Sequence, residues 1–169
     1  MRAALDRLYN AAAYLAALFL AGTLVFVLLG IGSRLLNWFI PGTDAYAGYC
    51  MAAAGFLALA HTLKRGEHIR VSLILEHVGP RAEHRMNLFA LAVGCVLAAA
   101  LAYYSVRLSF QSWSFNDIST GNDATPLWIP ELSMAFGTVV LLIALVDELV
   151  LEWRGERHVI VPAEALHNE

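Results

Sequence analysis

Cysteine is nearly absent: Cys50 and Cys95 are the only two in 169 residues. That excludes a disulfide scaffold and a four-cysteine metal site. Charge is scarce as well. Charged residues make up 15% of the chain, against about 25% in an average soluble domain. The net charge is −3, from 11 Lys and Arg against 14 Asp and Glu. With no basic surplus, a nucleic-acid binder is excluded by bulk electrostatics. Disorder is excluded because 59% of the residues are hydrophobic. The mean hydropathy is +0.62. What is abundant is apolar surface, and it points to a membrane protein.

The few charges cut the chain into blocks. Leu8 to Ser33, Ala45 to Leu63 and Met86 to Val106 contain no Asp, Glu, Lys or Arg. Leu132 to Val146 is a fourth such run, extendable to Ile129 and Trp153 if Glu131, Asp147 and Glu148 sit near the interfaces. A bilayer core of about 30 Å needs about 20 helical residues. Lipid offers the backbone no water, so each run is predicted to be a helix. The expected fold is all-α and membrane-integral, a single membrane domain with spans near 8–33, 45–63, 86–108 and 129–153 and a tail over 154–169. The first run resembles a signal peptide in following Arg2 and Arg7, but it exceeds an h-region of about 7–15 residues and is read as an uncleaved span. Trp38, Trp113, Trp128 and Trp153 all fall just outside the uncharged runs, where indole prefers the headgroup level.

Four spans put the two termini and the middle connection on one side. That side carries Arg2, Arg7, Lys64, Arg65, Arg70, Arg81, Arg85, Arg154 and Arg157, against Arg34 and Arg107 on the other. The asymmetry predicts cytoplasmic termini. Within the cytoplasmic connection Val71, Ile74, Leu75 and Val78 recur at helical spacing, and Gly79-Pro80 ends the pattern. This predicts an amphipathic helix on the inner surface between spans two and three; the alternative is an extension of a neighbouring span. Arg65 and Arg70 adjoin its apolar face and are candidates for contact with lipid headgroups or acidic partner groups. The first outer connection holds the turn signal Pro41-Gly42, and the second runs from about Ser109 to Leu127. Asp44, Asp117, Asp123 and Glu131 make the outer side mildly negative. Asp117 and Asp123 lie in that second connection, where they read as caps of turns in a solvated loop.

Transporters place ionisable residues inside the membrane. Spans one to three have none in their interiors, and Asp147 and Glu148 lie near the cytoplasmic end of the fourth. Asp147 is read as reaching the inner interface or a neighbouring subunit. Six histidines raise the possibility of haem. His61 and His84 would approach each other if spans two and three paired, although both belong to the interface. No catalytic residue, cofactor or metal site is expected, and Cys50 and Cys95 read as small core residues. Small residues recur every fourth position: Ala90, Gly94, Ala98 and Ala102 on span three, Ala13, Ala17 and Ala21 on span one, Gly48 and Ala52 on span two. Such rows let helices approach closely in lipid, with Gly94 at the centre of the longest, although alanine is abundant throughout. A packed helical module without a substrate path reads as a partner subunit rather than a pump.

Gly66-Glu67-His68-Ile69-Arg70-Val71 after span two and Pro126-Leu127-Trp128-Ile129-Pro130-Glu131 opening span four resemble segments of the DctQ-like small membrane subunit of tripartite ATP-independent periplasmic (TRAP) transporters. The resemblance covers nearly the whole chain in span number, topology and length. Ser72 stands where many members carry an acid, and Glu131 where Gln is frequent. The resemblance implies a scaffold in the bacterial inner membrane that binds a large membrane subunit. That large subunit would carry an organic anion, delivered by a periplasmic binding protein, with sodium as the driving ion; the binding protein would approach from the outer side, which makes Asp117 and Asp123 candidates for docking it. The competing readings are a haem- or quinone-binding anchor of an oxidoreductase and a self-sufficient small exporter.

Overall fold

A computed structural model describes residues 2–38, 40–65 and 79–155. Four helices carry them: α1 (Arg2–Leu35), α2 (Thr43–Lys64), α3 (Pro80–Phe115) and α4 (Trp128–Arg154). All four are long and apolar enough to cross a membrane. The amphipathic surface helix expected around Val71 to Val78, and Arg70 with it, lies outside the described residues.

The helix ends have local causes. Gly42 caps α2 at φ 81, a left-handed conformation that costs a side chain heavily. Pro80 opens α3, where its missing N–H costs nothing. Gly155 ends α4 at φ 68. α3 has 36 residues, about 54 Å of helix, and runs past Ser109 to Phe115. Ser109 and Ser112, which the sequence pattern assigns to the outer connection, are seam residues instead and continue the line of Ser105. Ser105, Ser109 and Ser112 are buried, and the Ser109 hydroxyl donates back to the Ser105 carbonyl at 3.1 Å. The connection is correspondingly shorter, a small hairpin closed by Ser119 N–H to the Thr125 carbonyl at 2.8 Å and Leu127 N–H to the Asp117 carbonyl at 3.0 Å.

The helices pack in the order α1–α2–α4–α3. The most apolar stretches of α1 and α3 are each only 11% buried, against 28% and 33% for α2 and α4. The molecule is therefore a row with two inner helices and two edges, whose outer faces are open to lipid or a partner. Its core is made of small residues: Ala12, Ala16, Ala53, Ala60, Ala98, Ala102, Ala135 and Ala144 are all buried. On α3, Ala98, Ala102, Ser105, Ser109 and Ser112 alternate four- and three-residue steps, the seam of a left-handed helix pair.

Only part of the expected small-residue rows takes part. Ala17, Ala21, Gly48 and Ala52 are exposed. Buried Tyr9, Ala12 and Ala16 carry α1 instead, one position round the helix. With alanine this frequent several rows exist on each helix, and the larger side chains choose among them. At the end of the row that holds the termini, Tyr9 joins α1 to both inner helices through Ala60, Val140 and Ala144.

Candidate functional site

The polar groups collect at the two ends of the row. At the terminal end Lys64, closing α2, is ion-paired with Asp147 on α4, and its Nζ lies 3.4 Å from Glu148 Oε1. The three side chains are 22%, 20% and 12% exposed, so the cluster is shielded from water. Lys64 Nζ also stands 5.4 Å from the centre of the Tyr9 ring, within cation–π reach. The Tyr9 hydroxyl is buried with no hydrogen-bond partner among the described residues. One turn further out, His84 Nδ1 meets Glu152 Oε1 at 3.0 Å, tying α3 to α4.

At the opposite end the loop between α3 and α4 is pinned to α2. Asp123 accepts hydrogen bonds from the Ser119 hydroxyl at 2.8 Å, the Tyr49 hydroxyl at 3.0 Å and the Thr125 N–H at 3.4 Å. Gly42 makes room for it, since a Cβ there would lie 2.8 Å from the Asp123 Cβ. Thr125, then Ser119 and Tyr49, hold the Asp123 carboxyl down from 3.8 to about 2, against the opposing cost of desolvation. Ser112 donates to Glu131 Oε1 at 3.0 Å, joining α3 to the first turn of α4. Arg34 and Asp44 pair at 2.7 Å on the open surface. The Asp117 carboxylate is exposed and has no partner among the described residues.

The Asp123 clamp has a pH signature. A depressed carboxyl contributes stability that is complete above the unfolded value of 3.8 and lost as pH falls through about 2. The Asp123→Asn variant should therefore unfold at a lower temperature than the parent above pH 4, and the gap should close toward pH 2. A gap independent of pH would show that the carboxylate charge does not hold this loop.

Between the ends, hydroxyls turn back on their own helices. Thr23 donates to the Phe19 carbonyl, Thr62 to Ala58 and Leu59, and Thr138 to Met134 and Ala135. The residues singled out in the sequence do not form one site. Arg65 ends α2 and is exposed. Gly94 faces Leu145 of α4, whose Cδ2 would lie 3.6 Å from an added Cβ. Asp147 already has a partner within the chain, Lys64. His61 and His84 are not a pair, because α2 packs on α1 and α4 while His84 binds Glu152. No three His, Cys, Asp or Glu among the described residues come together as metal ligands. Two features escape the sequence pattern. Lys64 reads there only as a flanking charge, whereas it is the partner of Asp147 across α2 and α4. Gly137 carries no sequence signal as a point where α4 meets the α2 backbone.

Residues 23–155 of the chain, which hold the C-terminal part of α1 and all of α2, α3 and α4, match a family model: tripartite ATP-independent periplasmic transporters, DctQ component. The chain belongs to the DctQ family. DctQ proteins are transporter components rather than enzymes, and membership does not favour the oxidoreductase-anchor alternative. No curated protein matches the chain. As a DctQ component it is a multi-pass membrane protein and the small membrane subunit of a TRAP transporter.

Proposed function

We propose that this DctQ component is a fixed scaffold for the large TRAP membrane subunit, in a transporter that imports an organic anion delivered by a periplasmic binding protein and driven by a sodium gradient. The family match carries the reading. The distribution of polar groups supports it: hydroxyls within the spans return to their own helices, and the charges sit at the ends. Substrate and ion sites then belong to the large subunit. The edge helices α1 and α3 offer the broad apolar faces such a scaffold needs. The excess of basic residues on the terminal side supports an inner-membrane protein with both termini cytoplasmic. Arg65 and Arg70 then stand at the cytoplasmic headgroup level, beside lipid phosphates or acidic groups of the large subunit. Asp147 serves that assembly from within, by keeping α4 in place against α2, and Gly94 lies on the α3 face toward Leu145 of α4.

The loop end faces the binding protein in this reading. Asp123 shapes the loop, and Asp117 offers its charge outward. Charge at an interface rim acts mainly on encounter rate and salt dependence. In proteoliposomes holding both membrane subunits, Asp117→Lys should slow uptake several-fold at low salt and much less at high salt, with co-purification unchanged. Equal rates at both salt levels would remove Asp117 from the docking surface. Full uptake by the large subunit and binding protein without this chain would overturn the scaffold role itself.

A further inference from the structure

A cleft of about 220 Å³ opens at the terminal end between α1 and α2, lined by Asp6, Tyr9, Asn10, His61, Lys64 and Arg65. Tyr9 forms its floor, buried at 2% exposure. Lys64 is held from behind by Asp147 and Glu148. Asp6 and Arg65 are different. Both are exposed, both line this cleft, and neither forms an ion pair with the other or with any other described residue. Opposite charges that share a small cleft without meeting leave room for a ligand that carries both signs. The depth narrows its class. Arg65 caps the end of α2, Asp6 lies in the second turn of α1, and exposed Trp153 marks the same end of α4. This is the headgroup level of one leaflet.

We propose that the cleft binds the headgroup of a zwitterionic phospholipid, with the phosphate against Arg65 and His61 and the ammonium against Asp6. A free phosphate or an anionic glycerol headgroup gives Asp6 no partner, and Asp6 disfavours either one. A basic residue beside a lipid phosphate contributes enough to change retention about fivefold. The site rests on the membrane-spanning reading alone and not on the transport role.

The full-length protein, in the assembly in which it purifies, is equilibrated in mixed micelles of phosphatidylethanolamine and phosphatidylglycerol, and bound lipid is counted by native mass spectrometry. The parent should retain phosphatidylethanolamine in preference. Arg65→Gln should lower retention of both lipids about fivefold, and Asp6→Asn should abolish the preference while leaving phosphatidylglycerol bound. Asp6→Glu should keep the preference, which separates loss of charge from loss of fold. No preference in the parent, a preference that survives in Asp6→Asn, or displacement of the lipid by inorganic phosphate would each overturn the assignment. None of those results would touch the scaffold role, because the assay measures no transport.

Discussion

Gly137→Ala should destabilise the helix row more than any other single-methyl addition at its glycines. Gly137 is buried on α4 where α2 crosses. A Cβ there would lie 2.5 Å from the Phe56 carbonyl oxygen, 2.6 Å from its carbonyl carbon and 2.9 Å from its Cβ. Two of these atoms are helix backbone, which cannot rotate away as a side chain does, so α2 and α4 must separate. Overpacking of this kind costs about 1–3 kcal/mol, and Gly137→Leu should cost more. Gly94, the glycine favoured by its place in a small-residue row, is the control. Its added Cβ would meet only the end of the flexible Leu145 side chain at 3.6 Å, an ordinary contact. Gly94→Ala should be tolerated, with a gain in helix propensity of up to about 1 kcal/mol. Thermal unfolding of both variants in one detergent checks the pair. If Gly137→Ala melts with the parent, the α2–α4 crossing is not this close.

Lys64→Met should be the most damaging change of a charged residue. The ammonium is shared by Asp147 and Glu148 and covered by Tyr9. Removing it leaves Asp147, 20% exposed, without the cation that holds it and takes one cationic neighbour from Glu148, 12% exposed. Stranding a shielded charge costs about 3–5 kcal/mol, because desolvation remains and the Coulomb attraction is gone. The loss should appear as lower yield of folded protein and a lower unfolding temperature. Lys64→Met with Asp147→Asn should recover part of it, since one stranded charge is then removed. Failure of the double variant to improve on the single one would mean that Lys64 acts through something other than Asp147. The same cluster explains why two acids are tolerated so near a span: they have a partner within the chain.

By itself, the sequence determined the number of apolar membrane-length helices, and the family. Apolar runs bounded by charge leave a chain no alternative in lipid, where each segment must satisfy its own backbone. Leu8 to Ser33 and Ala45 to Leu63 fall inside α1 and α2. Two short stretches, one of them opening α4 at Trp128, carried the resemblance that the match over 23–155 established. The tertiary structure alone decided which faces meet. Alanine is frequent enough to offer several small rows on every helix, so the row that is buried depends on partners distant in sequence. Tyr9 selects Ala12 and Ala16 over Ala17 and Ala21, and Phe56 makes Gly137 indispensable while Gly48 stays exposed. Ser109 and Ser112 look like loop residues in one dimension because polarity marks turns in water. In lipid a small hydroxyl that bonds back to its own helix is a packing surface. The pairing of Lys64 with Asp147, and of Tyr49 on α2 with Asp123 in the α3–α4 loop, joins elements that are neighbours only once the order α1–α2–α4–α3 is set. Periodicity along one helix says which side is apolar, and only close packing between helices says which apolar side is used.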